Sequence, residues 1–235
     1  MQIDVVDHVA GATAARGIAI VIDVFRAFAV APHAVAAGAS RVMPVGDVAA
    51  ALALRQVIPA ALLVGERHAR RLPGFDAGNS PTEVIALNVA GRPVVHTTHA
   101  GTQGLVNATL ADEVLTGSFV NVSAIARYVR QRRPGVVTIV RMGHEARERC
   151  AEDDLCAAAL LTLLQGGPAL ATAAVRDRLR EAPAAKKFFD PACDWAPEPD
   201  FEYCTEVDRF DFVLRVRHGN DGHLELERIA VPSPQ

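Results

Sequence analysis

Several apolar runs in this chain end in side chains able to do acid–base, phosphate or metal chemistry. The run IAIVI at 18–22 is followed by Asp23, Val24, Phe25 and Arg26. The run ALLVG at 61–65 leads into Glu66 and Arg67, and PVVH at 93–96 delivers Thr97, Thr98 and His99, with Ala100, Gly101 and Thr102 behind them. VVTIV at 136–140 ends in Arg141, Met142, Gly143 and His144, shortly before the acidic start Glu152-Asp153-Asp154. In open α/β sheets ligands gather outside the carboxyl ends of the strands. Four strand ends can therefore bring carboxylates, guanidiniums, hydroxyls and imidazoles to one rim. Guanidiniums suit phosphate or sulfonate oxygens, and carboxylates suit a hard divalent cation. The set predicts a small anionic substrate and a bound Mg²⁺.

Each element also has a plainer structural use. Asp23-x-x-Arg26 can be an ion pair at a helix start, and Glu66-Arg67 a solvated loop pair. Gly78-Asn79-Ser80-Pro81 reads as a turn and cap, while Thr97-Thr98 can satisfy loop amides. The acids Glu152-Asp153-Asp154 suit a helix N-terminus on dipole grounds alone. His8, His33, His68, His96, His218 and His223 have no motif around them. It is the ordered recurrence of such groups at strand ends that argues for a site.

The elements that must position them are visible in the same pattern. Short apolar runs alternate with alanine-rich stretches through the first two thirds of the chain. Strands are predicted at Ile18–Asp23, Arg41–Pro44, Ala61–Val64, Pro93–His96, Glu113–Leu115 and Val136–Val140. Helices are predicted at Ala27–Ala37, Asp47–Gln56, Pro81–Val89, Gln103–Ala111 and Val122–Arg130. IAIVID, PVVH and VVTIV hardly alternate, as befits strands covered on both faces. Regular β–α alternation predicts an α/β fold, a three-layer α/β/α sandwich with a mostly parallel or mixed sheet. Ser80-Pro81-Thr82-Glu83 reads as a capping box, with the glutamate returning to the cap amide. Beyond Gln165 a helix Ala169–Arg180 is expected, then a proline-bearing stretch Ala182–Pro199 over the surface. A hairpin, Phe212–Arg217 with Leu224–Ile229, closes the chain. The whole reads as one domain over 1–235, divisible into lobes of about 1–115 and 116–235.

Composition narrows the function classes. The 235 residues are 50% hydrophobic, enough for a substantial core, and the formal net charge is −3, which does not suit a non-specific nucleic-acid binder. Four widely spaced cysteines without a CxxC make neither a disulfide scaffold nor a thiolate zinc site. The start MQIDVVDHVA lacks a signal-peptide pattern, and no apolar run approaches the ~18 residues of a membrane span. A cytoplasmic location is expected. A GxxxxGK[ST] loop and a GxGxxG after the first predicted strand are both missing, against P-loop and Rossmann chemistry. Phe25 stands where haloacid-dehalogenase-type phosphatases carry a second aspartate, and no cysteine opens a phosphotyrosine-phosphatase loop.

Taken in order, the segments resemble the 2-phosphosulfolactate phosphatase (ComB) family. The resemblance rests on VIDVFRA at 21–27, GER at 65–67, GFDAGNSP at 74–81 and TTHAGT at 97–102. It continues through GSFVN at 117–121, EDDLCA at 152–157 and DFEYC at 200–204. It implies a Mg²⁺-dependent phosphatase that removes phosphate from 2-phospho-3-sulfolactate, on the route to coenzyme M, or acts on another phosphorylated 2-hydroxy acid. On that footing Asp23, Arg26, Glu66, Arg67 and His99 are catalytic candidates. Asn79, Ser80, Thr97, Thr98, Gly101, Thr102 and Asn121 are substrate-binding candidates, and Asp23, Glu66, Glu152 and Asp153 the metal ligands. Arg26 and Arg67 would take the two anionic ends of the substrate.

The chain departs from the family at four suspected rim positions. Phe28 replaces a hydroxyl residue, His99 a threonine, Ala100 an asparagine, and Arg141-Met142-Gly143 a CAG-like strand end. With the carboxylates in place, these changes point to a retained reaction with altered specificity; a non-catalytic anion-binding relative is the reading from another class. The expected partner is a small phosphorylated molecule, not nucleic acid or membrane. The extended tail after residue 182 suggests a homo-oligomer.

Overall fold

The computed structural model describes residues 1–232. In chain order its first elements are β1 (Gln2–Asp7), α1 (His8–Ala14), β2 (Ile18–Ile22), α2 (Ala27–Ala36), β3 (Arg41–Pro44), α3 (Val48–Val57), β4 (Leu62–Arg67) and β5 (Arg70–Arg71). They are followed by α4 (Pro81–Ala86), β6 (Pro93–Thr97), α5 (Gly101–Asn107), β7 (Glu113–Gly117), α6 (Val122–Arg132), β8 (Val136–Arg141) and α7 (Ala151–Leu164). Then come α8 (Thr172–Leu179), α9 (Pro199–Thr205), β9 (Phe212–His218) and β10 (Leu224–Ala230), with 3-10 turns at Phe119–Asn121 and Pro183–Phe188.

The strands divide between two sheets. The larger has the order β1-β8-β2-β7-β9-β10, and the smaller β3-β6-β4-β5. β1, β8, β2 and β7 run parallel, as do β3, β6 and β4; β9, β10 and β5 add antiparallel edges. The fold is α/β with helix layers on both faces of the larger sheet, as the alternation predicted.

All five residues of β2 are buried, which explains why IAIVI does not alternate. Ile18, Ile20 and Ile22 meet Ile125 and Val129 of α6 and Leu160 of α7 on one face. Ala19 and Val21 meet Ala12 of α1, Phe28 of α2 and Leu105 of α5 on the other. The same second core takes Val42, Leu62, Val64 and Val94 of the smaller sheet, whose opposite face packs Met43, Leu63 and Val95 against α3. Ion pairs from Arg41 of β3 to Asp221 and Glu225 tie the β9–β10 hairpin to the smaller sheet.

Three local expectations are corrected. β1, absent from the sequence reading, is a half-exposed edge strand paired only to β8. Ser80 does cap α4, its Oγ accepting from the Glu83 amide at 3.2 Å. Glu83, however, accepts from the amide of Gly78 at 2.7 Å rather than returning to the cap. The stretch Ala182–Pro199 does not merely wrap the surface: Ala182, Ala185, Phe188 and Ala196 are core residues beside Phe201.

Candidate active site

Strand register decides which carboxylates can meet. In the larger sheet Ile22 of β2 lies opposite Gly117 of β7 and Arg141 of β8, so Asp23 emerges at the common carboxyl edge. In the smaller sheet Gly65 of β4 lies opposite Thr97 of β6, so Glu66 emerges beside the Thr98–Ala100 turn. The two edges converge. Gly101, at the start of α5, packs so closely on Asp23 that a Cβ there would lie 2.7 Å from Asp23 Oδ2.

The three inner carboxylates each hold loop amides. Asp23 Oδ1 accepts from the Ala27 amide at 3.3 Å. Glu66 accepts from the amides of His99 at 2.7 Å and Ala69 at 2.8 Å, joining the turns after β6 and β4. Asp153, in the first turn of α7, accepts from Val24 at 2.9 Å and Gly143 at 2.8 Å, joining the turns after β2 and β8. Glu152 beside it is buried, and its Oε2 has no hydrogen-bond partner. A cleft of about 370 Å³ runs past Glu152, lined also by His144, Glu148, Arg149, Cys150 and Pro183.

Amide donors favour ionised carboxylates, yet here burial and mutual repulsion dominate. Burial, then Glu66, pushes the Asp23 carboxyl up to about 7. Asp153 is raised well above the ordinary range by burial, Asp23 and Glu152, and Glu152 is raised by burial. Four buried acids, one with an orphaned oxygen, form a nest that a divalent cation would satisfy; oxygen-only donors suit a hard one. Of the predicted metal set, Asp23 feels the charge of Glu66, and Asp153 those of Asp23 and Glu152, whereas Asp154 turns away to Arg141 and Arg149.

The cations are less free than the sequence implied. Arg26 is buried, with Nη1 donating to Asp200 Oδ2 at 2.7 Å and to the Trp195 carbonyl at 3.0 Å. Its Nη2 donates to the Ala69 carbonyl at 3.3 Å. Arg26 thus braces the tail against the turn after β4 instead of offering an open fork. Arg67, partly exposed, donates to the Glu66 carbonyl at 2.7 Å and Thr97 Oγ1 at 3.0 Å. The cation that sequence reasoning missed is Lys187. Its ammonium lies 5.1 Å from the Phe188 ring centre and 5.9 Å from that of Phe25. Burial and the Arg26 charge lower its pKa, while Glu152 and Asp23 are near enough to pull the other way. It makes no ion pair among the described residues.

The remaining candidates have protein partners. Asn79 Oδ1 lies 3.2 Å from Nε2 of His96, whose pKa burial lowers to about 4. Ser80 Oγ donates to Asp200 Oδ1 at 3.0 Å. Thr98 and Thr102 exchange bonds, Thr98 N to Thr102 Oγ1 at 2.9 Å and Thr102 N to Thr98 Oγ1 at 3.1 Å, which fixes the turn before α5. Asn121 Nδ2 donates to the Phe212 carbonyl at 3.0 Å. His99 stacks edge-on to His68, ring centres 4.8 Å apart, and its Nδ1 is buried without a partner. His68 Nδ1 pairs with Glu145 Oε1 at 2.6 Å. Ligand atoms of His68, His99 and Glu145 all lie within 4.8 Å of one another, a possible three-residue metal-binding group. Burial pushes the Cys156 and Cys204 thiols well up, so neither is a thiolate.

By sequence similarity the chain falls among phosphoric monoester hydrolases. The family model described as 2-phosphosulpholactate phosphatase matches residues 4–219, and the chain belongs to that family. A "Probable 2-phosphosulfolactate phosphatase" of Bacillus subtilis (strain 168) is 30% identical over 216 residues, 90% of this chain and 92% of the relative. Proteins of the same name from Caldanaerobacter subterraneus subsp. tengcongensis and Thermosynechococcus vestitus are 32% and 33% identical. They align with 85% and 81% of this chain, and with 88% and 85% of their own. No helix among the described residues is long and apolar enough to cross a membrane.

Proposed function

We propose that this protein hydrolyses 2-phospho-3-sulfolactate to sulfolactate and inorganic phosphate with the help of Mg²⁺. The observation that carries the reading is the nest of four buried carboxylates at the converging strand ends, with the Glu152 Oε2 orphan beside them. Asp23, Glu66, Glu152 and Asp153 would hold the cation. Bound there, Mg²⁺ supplies positive charge against the phosphoryl oxygens.

The chain's own groups supply the rest. Asp23, whose proton a bound cation would displace, would accept a proton from the attacking water through an oxygen the cation leaves free. Lys187 offers the phosphoryl group an ammonium that no carboxylate among the described residues has claimed in an ion pair. Arg67, at the open side of Glu66, takes the sulfonate or carboxylate end. The Thr98–Thr102 pair and Glu66 hold the intervening turn still, so the reacting groups stay in register.

A second substrate, another small phosphorylated 2-hydroxy acid, is favoured by the turn at 98–100. Ala100 stands at the N-cap of α5 and offers no side-chain acceptor, and His99, held by its amide to Glu66, turns an imidazole toward His68. Phosphate release from a panel of such esters, each with Mg²⁺ and with EDTA, separates the two. Mg²⁺-dependent release fastest from 2-phosphosulfolactate supports the first substrate, and faster release from another ester moves the assignment to that ester. No release from any ester contradicts hydrolysis of this substrate class.

A further inference from the structure

The turns after β4 and β8 and the turn before α5 bring together two imidazoles, which the carboxylate nest lacks, and a further carboxylate. His68 Nδ1 and Glu145 Oε1 are already 2.6 Å apart, and His99 contributes a ring 4.8 Å from that of His68. The His99 Nδ1 is buried and has no hydrogen-bond partner among the described residues. Tetrahedral zinc with bonds of about 2.0–2.1 Å sets its ligand atoms roughly 3.3 Å apart. The present separations, all within 4.8 Å, need only small side-chain rotations to meet that figure. The His68 side chain is 72% exposed and free to make one.

Both supporting loops are tight turns: His68 and Ala69 are the loop residues of the β4–β5 hairpin, where Arg67 pairs with Arg70, and Glu145 and Ala146 lie inside the His144–Glu148 bridge. His68 and Ala69 have φ of +53° and +62°, and Glu145 and Ala146 have +49° and +56°. Two-residue hairpin turns take positive φ at their central positions, so the turn geometry itself fixes where His68 is presented. Imidazole nitrogens suit Zn²⁺, Co²⁺ or Ni²⁺ far better than Mg²⁺, which prefers oxygen donors. We propose that His68, His99 and Glu145 form a borderline-metal site of the two-histidine, one-carboxylate kind, separate from the carboxylate nest and taking Zn²⁺. Three protein donors leave a fourth position open for water or an anionic oxygen. Because the His99 amide bonds to Glu66, the site touches the nest through one residue.

The test is calorimetric titration of ZnCl₂ into the full chain with Mg²⁺ in large excess, which makes the result independent of the phosphatase reading. One equivalent of Zn²⁺ is expected to bind. Affinity should fall at least about tenfold in His68→Ala and in Glu145→Gln, and be retained in Cys150→Ser. His68 is exposed but sits at positive φ, so circular dichroism checks that its variant folds. No binding of Zn²⁺ overturns the proposal. So does binding that survives both ligand substitutions, or that disappears in Cys150→Ser, which would place the ion in the cleft beside Glu152.

Discussion

Lys187 stands between two phenylalanine rings, beside Arg26 and within reach of the charges of Asp23 and Glu152, without an ion pair of its own. A lysine left in that state is costly unless a ligand anion meets it. Replacing it by methionine keeps the stem between Phe25 and Phe188 and removes the charge. Lys187→Met should lower kcat/KM for phosphate release by about 10²–10³ while the thermal midpoint holds or rises. Unchanged kinetics would remove Lys187 from the site. Nothing in the sequence flagged this residue, because a single lysine in a proline-bearing stretch carries no motif. Arg26 shows the reverse: a conspicuous residue after a strand-end aspartate, yet engaged by Asp200 in a buried pair. Asp200 sat inside the DFEYC match, but only the fold shows that it also receives Ser80 Oγ and the Thr82 amide.

At the scale of elements, the site depends on how closely α5 approaches β2. Gly101 permits it: a Cβ would lie 2.7 Å from Asp23 Oδ2 and 2.8 Å from the Ala27 Cβ. Gly101→Ala should cost about 1–3 kcal/mol in chemical denaturation and reduce phosphate release at least about tenfold. A variant as stable and active as the parent would show that the contact relaxes freely. The strand ends that matter were readable because β2 and the cores of β6 and β8 are buried runs flanked by polar turns. β1 was not, because QIDVVD mixes acids with valines on a half-exposed edge. Glu83 satisfied the capping-box pattern and still chose the Gly78 amide, since the GFDAGN turn brings that donor closer. No periodicity could reveal that alternating strands and helices would split into two sheets whose carboxyl edges meet.

For the whole molecule, the carboxylate nest links stability to pH and to cations. Asp23 rises from 3.8 to about 7, so the folded protein holds a proton there that the unfolded chain has lost over that interval. Its contribution is therefore full below about pH 4 and is lost as pH rises through 7; the raised Asp153 and Glu152 act in the same direction. Buried His96, lowered to about 4, and His33, also lowered, pull oppositely below 6.5, so the useful quantity is a difference. A cation in the nest must displace these protons. The gain in Tm from Mg²⁺ over EDTA should be small near about pH 5 and grow through about pH 7 before levelling. A gain that does not change with pH, or no gain, would contradict cation binding by these acids.

If the buried acids at the converging strand ends run the chemistry with Asp23 at their centre, loss of its charge must stop turnover. The most direct test is the rate of phosphate release from 2-phosphosulfolactate by Asp23→Asn at saturating Mg²⁺. Asparagine keeps an oxygen for the Ala27 amide, so the turn is expected to stay folded. The expected result is a fall in kcat of about 10²–10⁴ with the folded spectrum intact. A rate close to that of the parent would contradict that role of Asp23.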